Sequence, residues 1–118
     1  MSLRYVISRH EGVEEPHYDL MFETAPGSQL STWRSPSWPI LERTRLTKLR
    51  DHRRMYLDYE GPIPGDRGHV LRIGAGTCTV QTDAGDSYRF VLDNRLLLVI
   101  QPVHDEIWEA KSTEKTGA

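Results

Sequence analysis

The sequence predicts an all-β fold, a small closed or partly open antiparallel β-barrel with one short helical connection. Three observations support this prediction. Short apolar or alternating runs recur along the chain, clusters of Gly, Pro, Asn and Asp separate them, and only one stretch can be placed on a helix. Short strands with turn signals at roughly regular spacing are typical of sandwiches and small barrels. At 118 residues, the chain has the length of one domain.

The predicted strands follow one another with turn chemistry between them. In chain order they are residues 4–8, 17–23, 29–34, 69–73, 77–82, 87–92, 95–103 and 106–111. The sequence GAGT at 74–77 is interpreted as one of the turns, because it is too short and badly placed for a nucleotide-binding loop.

The exception is the stretch 39–56, where Leu41, Leu46 and Leu49 can be placed on a short helix after Pro39. This stretch is also the basic part of the chain. Its cations are Arg43, Arg45, Lys48, Arg50, Arg53 and Arg54. On charge alone, a solvated face is a more ordinary interpretation than a phosphate-binding surface.

Composition sets the remaining limits. The net charge of -2 gives no global signature of nucleic-acid binding, so any such binding must depend on a local patch. A single cysteine, Cys78, cannot form a disulfide within the chain and favours a reducing compartment. Without a signal peptide or a long apolar run, the sequence predicts a cytoplasmic protein with no membrane segment. We expect a domain over residues 1–110 and a disordered polar tail over 111–118.

A candidate metal site lies near the start of the chain. Alternation along the strand at 17–23 places His17 and Asp19 on one face and apolar residues on the other. His10 can return across the intervening loop to complete a His/His/Asp set, which suits Zn, Mn, Fe or Ni without choosing among them. The alternative is that His10 stays in a loop while His17 and Asp19 only hydrogen-bond each other.

A different metal chemistry shares part of this pattern. His17 and Asp19 with a distant histidine also match the facial triad of non-haem iron oxygenases, with His52, His69 or His104 as the third ligand. Those enzymes usually need a larger double-sheet domain, and a basic residue after the last ligand. Here the only such residues lie in the predicted tail, so the pattern weighs against an oxygenase.

A second chemical pair, His52 and Tyr56, lies in the basic stretch. Their spacing of four puts them on the same side of either a helical turn or a strand. A histidine that can protonate near neutral pH, beside a phenol and several arginines, can act as an acid and a clamp for phosphate. The alternative is that the two rings simply pack within a basic loop.

Three segments occur in an order that matches a known family. His10 followed by HYDLMFE at 17–23 is similar to a family motif His…His-Tyr-Asp-Leu-Arg-Leu-Glu. LSTWRSP at 30–36 is similar to Leu-x-Ser-Trp-x-x-Pro, and RDHRRMYLDYEGPIP at 50–64 to Glu-Asp-His-Pro-x-x-Tyr-x-x-Phe-Glu-Gly-x-Ile-Pro. In these motifs the chain resembles the 3′-phosphoesterase domain of bacterial DNA ligase D.

The resemblance implies a compact β-barrel that removes a 3′-phosphate or a 3′-ribonucleotide from nucleic-acid ends in DNA repair. It implies a divalent metal, Mn, held by His10, His17 and Asp19, with Zn or another transition metal also compatible. His52 and Tyr56 match the phosphate-contacting pair of the family and are the candidate catalytic residues. The implied partners are DNA or RNA 3′ ends, and a separate DNA ligase or other repair proteins.

The chain also departs from the family at two cations. The family arginine two places after the aspartate is Met21 here, and a family lysine is Ser37. Arg34, Arg45 and Arg54 are the candidate phosphate-binding residues. Two functions are therefore expected: a divergent metal-dependent 3′-phosphoesterase or, alternatively, a non-catalytic metal- or phosphate-binding module for nucleic-acid ends with the same fold.

Overall fold

The protein folds as an antiparallel β-barrel. The computed structural model describes residues 2–83 and 85–114, which contain nine β-strands and one turn of 3₁₀ helix, Arg54–Leu57. The strands are β1 (Leu3–Glu11), β2 (His17–Glu23), β3 (Leu30–Ser35), β4 (Thr44–His52), β5 (Gly61–Pro62), β6 (His69–Asp83), β7 (Ser87–Leu92), β8 (Leu96–His104) and β9 (Ile107–Glu114).

The barrel closes through the first and sixth strands. Neighbouring strands pair in the order β1-β2-β3-β4-β9-β8-β7-β6, and β6 pairs back with β1, while the short β5 adds to β6. The closing pair runs from Leu3 opposite Cys78 to Glu11 opposite His69. In this closed ring, each of the eight strands pairs with a neighbouring strand on both sides. The predicted all-β barrel is confirmed.

Aromatic rings fill the barrel interior. Phe22 stacks on Phe90 with ring centroids 4.0 Å apart, and Trp33 meets Phe22 edge-on at 5.9 Å. All three side chains are fully buried. Because aromatic pairs in these geometries add to the stabilisation from buried area, they define the centre of the core.

The outer face of β1, β2 and β3 is covered as well. Val6, Met21 and Leu30 point away from the barrel core and form a second buried cluster with Leu57 of the 3₁₀ helix. Tyr56 packs against this cluster. The segment between β4 and β5 therefore folds back over the outside of the barrel.

The predicted helix within residues 39–56 is wrong in extent, because residues 44–52 form β4 and only the 3₁₀ turn is helical. Leu46 is buried in the barrel core, whereas Leu49 faces a cavity on the outer surface. Leu41 is 83% exposed. The three leucines therefore lie in different environments, and their helix-like spacing does not reflect one apolar face.

The predicted turn at 74–77 is also wrong, because these residues lie within the long strand β6. Gly74 and Gly76 pair with Ile7 and Tyr5 of β1. A Cβ atom at Gly76 would lie 2.0 Å from a carboxylate oxygen of Asp93, in the β7–β8 turn. Glycine is therefore required here for close approach between two elements, and it does not reverse the chain.

The predicted disordered tail begins too early. Strand β9 continues to Glu114, and residues 111–114 pair with β8 from Val99 to Leu96. The remaining positions of the predicted tail, 115–118, lie outside the described residues. Within the part of the chain that is described, no helix is long and apolar enough to span a membrane.

Candidate metal centre

A cavity of about 160 Å³ lies between the outer face of the barrel and the segment that folds back over it. Its walls come from β1–β4, the 3₁₀ helix and the segment leading into β6. The lining residues are His10, His17, Asp19, Met21, Arg34, Leu49, His52, Tyr56, Ile63, Arg67 and Val70. The cavity thus brings together all three predicted metal ligands and both predicted catalytic residues.

Strand register explains how the three predicted ligands meet. His10 and His17 are the last paired residues of β1 and β2 before the connecting loop, and their rings lie 4.8 Å apart. Asp19 follows two residues along β2, on the same face as His17. A short hairpin therefore suffices to gather the set.

Backbone carbonyls orient both imidazole rings. His10 Nε2–H donates to the carbonyl of Arg67 at 2.7 Å, and His17 Nδ1–H donates to the carbonyl of Glu15 at 2.9 Å. Because a carbonyl oxygen can only accept, each neutral ring presents its other nitrogen as a lone pair. These nitrogens lie 3.7 Å and 3.4 Å from the two carboxylate oxygens of Asp19.

Two of the donor atoms are buried without a hydrogen bond to the described residues. His17 Nε2 and Asp19 Oδ1 have no hydrogen-bond partner among the described residues, and both side chains are only 8% exposed. An unsatisfied buried polar group costs about 1–3 kcal/mol. The donor atoms of His10, His17 and Asp19 all lie within 4.8 Å of one another, close to the separation of roughly 3–4 Å that metal bonds of about 2.1 Å require. The set fits a divalent ion.

The cavity lining also carries the histidine–tyrosine pair. His52 ends β4, and its Nδ1–H donates to the carbonyl of Arg50 at 3.0 Å. This hydrogen bond leaves Nε2 as the reactive nitrogen of the ring. The ring of Tyr56, on the 3₁₀ helix, meets the His52 ring edge-on at 5.8 Å.

Only one of the three predicted phosphate-binding arginines lines the cavity. Arg34 is the β3 partner of Asp19 and shares its face of the sheet. Arg45 is exposed on β4 and is not part of the cavity lining, while the guanidinium of Arg54 is bound to the carboxylate of Glu23. The structure therefore places Arg45 and Arg54 outside the site.

Sequence reasoning missed Arg67. This residue lies between β5 and β6 and lines the cavity, and its Nε–H donates to the carbonyl of Pro64 at 2.7 Å. A Cβ atom at the neighbouring Gly68 would lie 2.1 Å from the carbonyl oxygen of Glu11, so glycine lets this loop pack closely against β1. A basic residue in a glycine-flanked turn directly after the third motif was the available signal.

The ion pair of Arg54 has a structural role. Glu23 is 4% exposed, and its carboxylate accepts hydrogen bonds from the backbone N–H of Arg4 at 2.6 Å and from the guanidinium of Arg54. Burial opposes ionisation of Glu23, but these hydrogen bonds and charges outweigh it, and the pKa of Glu23 lies below its usual value. This pair ties the 3₁₀ helix, and with it Tyr56, to the barrel wall.

We expect Glu23→Gln to lower the free energy of unfolding by about 1–3 kcal/mol near neutral pH, because a charge-assisted hydrogen bond is lost. Since the folded-state pKa of Glu23 is lowered, the carboxylate stabilises the protein above its unfolded-state pKa, and this stabilisation is lost as the pH falls through the folded-state pKa. The difference between variant and wild type should therefore shrink in acid. Urea unfolding at about pH 7 and about pH 3.5 measures it.

The exposed Glu42 provides the matched control, since Glu42→Gln removes the same charge from the surface. If Glu23→Gln lowers the free energy of unfolding by the same amount at both pH values, this role of the ion pair is contradicted.

Comparison with protein-family models found no model that matches this chain, and comparison with curated proteins found no matching protein. The resemblance noted in the sequence is limited to three motifs, all within residues 10–64. We therefore infer function chiefly from the geometry of the cavity.

Proposed function

We propose that this protein is a divergent metal-dependent 3′-phosphoesterase that removes a 3′-phosphate or a 3′-ribonucleotide from nucleic-acid ends. The observation that supports this function is one small cavity whose lining contains both a His/His/Asp donor set and a His–Tyr pair. In this role it would act in the cytoplasm on DNA or RNA 3′ ends, alongside a separate DNA ligase or other repair proteins.

The size and charge of the cavity favour a terminal phosphate group. A volume of about 160 Å³ is below the roughly 300–1,000 Å³ of pockets that enclose drug-sized ligands. This space suits a phosphate group and an ion better than a nucleobase with its sugar. Arg34 and Arg67 are exposed residues of the lining, where they can meet an anionic group at the end of a chain.

His10, His17 and Asp19 would hold the metal. Mixed imidazole and carboxylate ligation suits Mn, Fe or Zn, and Mn is the ion that the motif resemblance implies. When bound, the ion would polarise a phosphoryl oxygen and lower the pKa of a coordinated water.

The chain's own groups supply the rest of the chemistry. His52 is held by its Nδ1–H, so Nε2 is the atom that carries and delivers a proton to the leaving oxygen. The phenol of Tyr56 donates a hydrogen bond to the phosphoryl group, and the guanidinium of Arg34 offsets its negative charge. These groups lie on cavity walls formed by different elements, so the phosphoryl group is held between them.

Met21 makes the floor of the cavity neutral. Its side chain is almost fully buried against Val6 and Leu30, at the position where the family motif has an arginine. A lost charge-assisted contact to phosphate typically costs on the order of 10²-fold in rate. Arg34, beside Asp19 on the neighbouring strand, is the cation placed to replace it.

This neutral floor also favours the second candidate function, a non-catalytic metal- or phosphate-binding module for nucleic-acid ends. Such a module needs a metal ion and a cationic side chain, but it does not need a proton donor. The orientation of His52 by a backbone carbonyl and the placing of Tyr56 beside it favour the hydrolase.

The direct test is to incubate the protein with Mn²⁺ and a primer that ends in a 3′-phosphate or in one ribonucleotide. We expect release of inorganic phosphate from the first primer and shortening of the second, both prevented by a chelator. Absence of turnover together with metal-dependent retention of the strand would instead favour the binding module.

The two exposed arginines on adjacent strands provide an internal control for this assay. Arg34→Ala should lower kcat/KM by roughly 10- to 10²-fold, because it removes the cation beside the donor set. Arg45→Ala removes the same charge outside the cavity and should leave kcat/KM unchanged. Equal losses in the two variants would contradict the placement of phosphate in this cavity.

A further inference from the structure

A second groove, of about 880 Å³, opens beside the metal cavity and shares three of its lining residues. It is formed by the end of β4, the 3₁₀ helix and the segment that leads into β6. The shared residues are His52, Tyr56 and Arg67. Any molecule that places one end in the cavity is therefore able to continue into this groove.

The groove is basic although the chain is not. Its described lining contains three arginines, Arg50, Arg53 and Arg67, against one carboxylate, Asp51. All three arginines are exposed, and the Asp51 carboxylate lies 3.8 Å from Lys48 Nζ. With a formal charge of -2 for the whole chain, this concentration of cations is a local feature. It is the charge pattern that a phosphodiester backbone requires.

Aromatic rings connect the cavity to the groove. The rings of His52 and Tyr56 lie 5.8 Å apart, and those of Tyr56 and Tyr59 also lie 5.8 Å apart. The first two line both spaces, whereas Tyr59 lines only the groove. The Tyr59 hydroxyl donates to the Pro62 carbonyl, and Met55 adds an apolar side chain that is 49% exposed.

We propose that this groove binds the unpaired nucleotides that precede a 3′ end, so that the preferred substrate is a single-stranded or frayed end and not a blunt duplex terminus. The proposal rests on the function proposed above for the identity of the group in the cavity. At about 160 Å³ the cavity is small for a phosphate together with its sugar and base, so we place the last sugar and base outside it. Aromatic side chains stack on bases whose faces are free, whereas a base inside a duplex already stacks on its neighbours.

Metal-free binding tests the groove separately from catalysis. The probe is a fluorescent oligonucleotide of about 10 nucleotides with a 3′-hydroxyl, compared with a blunt hairpin duplex of similar length, both in the presence of a chelator. Without a metal or a terminal phosphate, the cavity contributes neither ligation nor hydrolysis. We expect the single strand, as DNA or RNA, to bind at least about 10-fold more tightly than the duplex.

A charge-matched pair of double variants tests where the strand lies. Arg50→Gln with Arg53→Gln should weaken single-strand binding by roughly 10-fold. The double variant should also reduce the steepness of the plot of log binding constant against log salt concentration by about 1.4, which corresponds to two phosphate contacts. Arg43→Gln with Arg89→Gln removes two exposed arginines outside the groove and should change neither quantity. All four positions are surface residues, so folding should be preserved.

The outcomes separate this proposal from the proposed function. Equal loss of single-strand affinity in both double variants, or a duplex bound as tightly as the single strand, would overturn the proposed role of the groove. Tight single-strand binding that depends on Arg50 and Arg53, without hydrolysis of a 3′-phosphorylated strand, would support the groove and refute the phosphoesterase. Hydrolysis without a preference for single strands would refute the groove alone.

Discussion

Replacing His17 with alanine is expected to abolish metal binding and to lower hydrolysis by about 10³-fold or more, since a catalytic ion contributes several kcal/mol to transition-state stabilisation. The Nε2 atom of His17 is buried, makes no hydrogen bond to the described residues and lies 3.4 Å from an Asp19 oxygen. Its loss leaves two donors, His10 and Asp19, which are too few to enclose an ion. The remaining cavity residues would be unchanged.

Metal binding can be measured apart from activity. A ligand that binds only the folded state raises Tm, so Mn²⁺ should stabilise the wild type and leave the Tm of His17→Ala unchanged. Isothermal titration with Mn²⁺ and Zn²⁺ gives the affinities directly and ranks the two metals. His104→Ala removes a histidine that is 70% exposed and lies outside the cavity lining. This variant should therefore retain the metal-dependent rise in Tm. A rise of equal size in His17→Ala would contradict the predicted ligand set.

The strands that sequence predicts best are those with one apolar and one polar face. Residues 17–23 and 87–92 were expected as strands and form β2 and β7 with the same bounds. In β2, alternation separates Leu20 and Phe22 in the core from His17 and Asp19 in the cavity. Local pattern is sufficient here, because the two faces differ in chemistry.

Prediction fails where distant elements cover a strand. Leu46 and Leu49 lie on opposite faces of β4, Leu46 in the barrel core and Leu49 against the cavity under the segment that folds back over the outside. A strand with an apolar residue on each face lacks a simple alternation, and its apolar spacing can resemble that of a helix. Gly76 was taken as part of a turn because its contact with Asp93 is invisible in the local sequence.

The residues of the candidate site show the same contrast between local pattern and long-range contacts. His10 and His17 are joined by a short hairpin, so spacing along the chain was enough to predict their meeting. Arg54 was misassigned because Glu23, which binds it, lies 31 residues away, and Arg67 was missed because it reaches His10 only through barrel closure. Side chains that a hairpin brings together can be predicted to meet from sequence, whereas the cationic side chains around them depend on long-range contacts.

Replacing His52 with alanine should lower kcat for a 3′-phosphorylated strand by about 10²- to 10⁴-fold, the usual contribution of a general acid. The donor set is formed by His10, His17 and Asp19 without this residue, so Mn²⁺ affinity and the Mn²⁺-dependent rise in Tm should be preserved. This combination distinguishes His52 from His17, whose replacement removes both.

The leaving group provides the decisive measurement for His52. An alkoxide at the end of a strand needs a proton as it departs, whereas a nitrophenolate leaves without one, so His52→Ala should lose far less activity on an aryl phosphate than on the strand. His69→Ala, which removes a half-exposed histidine outside the cavity lining, should lose activity on neither substrate. Equal losses on both substrates, or loss of Mn²⁺ binding, would show that His52 holds the site together instead of delivering the proton. Retained metal binding with a loss confined to the poor leaving group would establish that His52 delivers the proton.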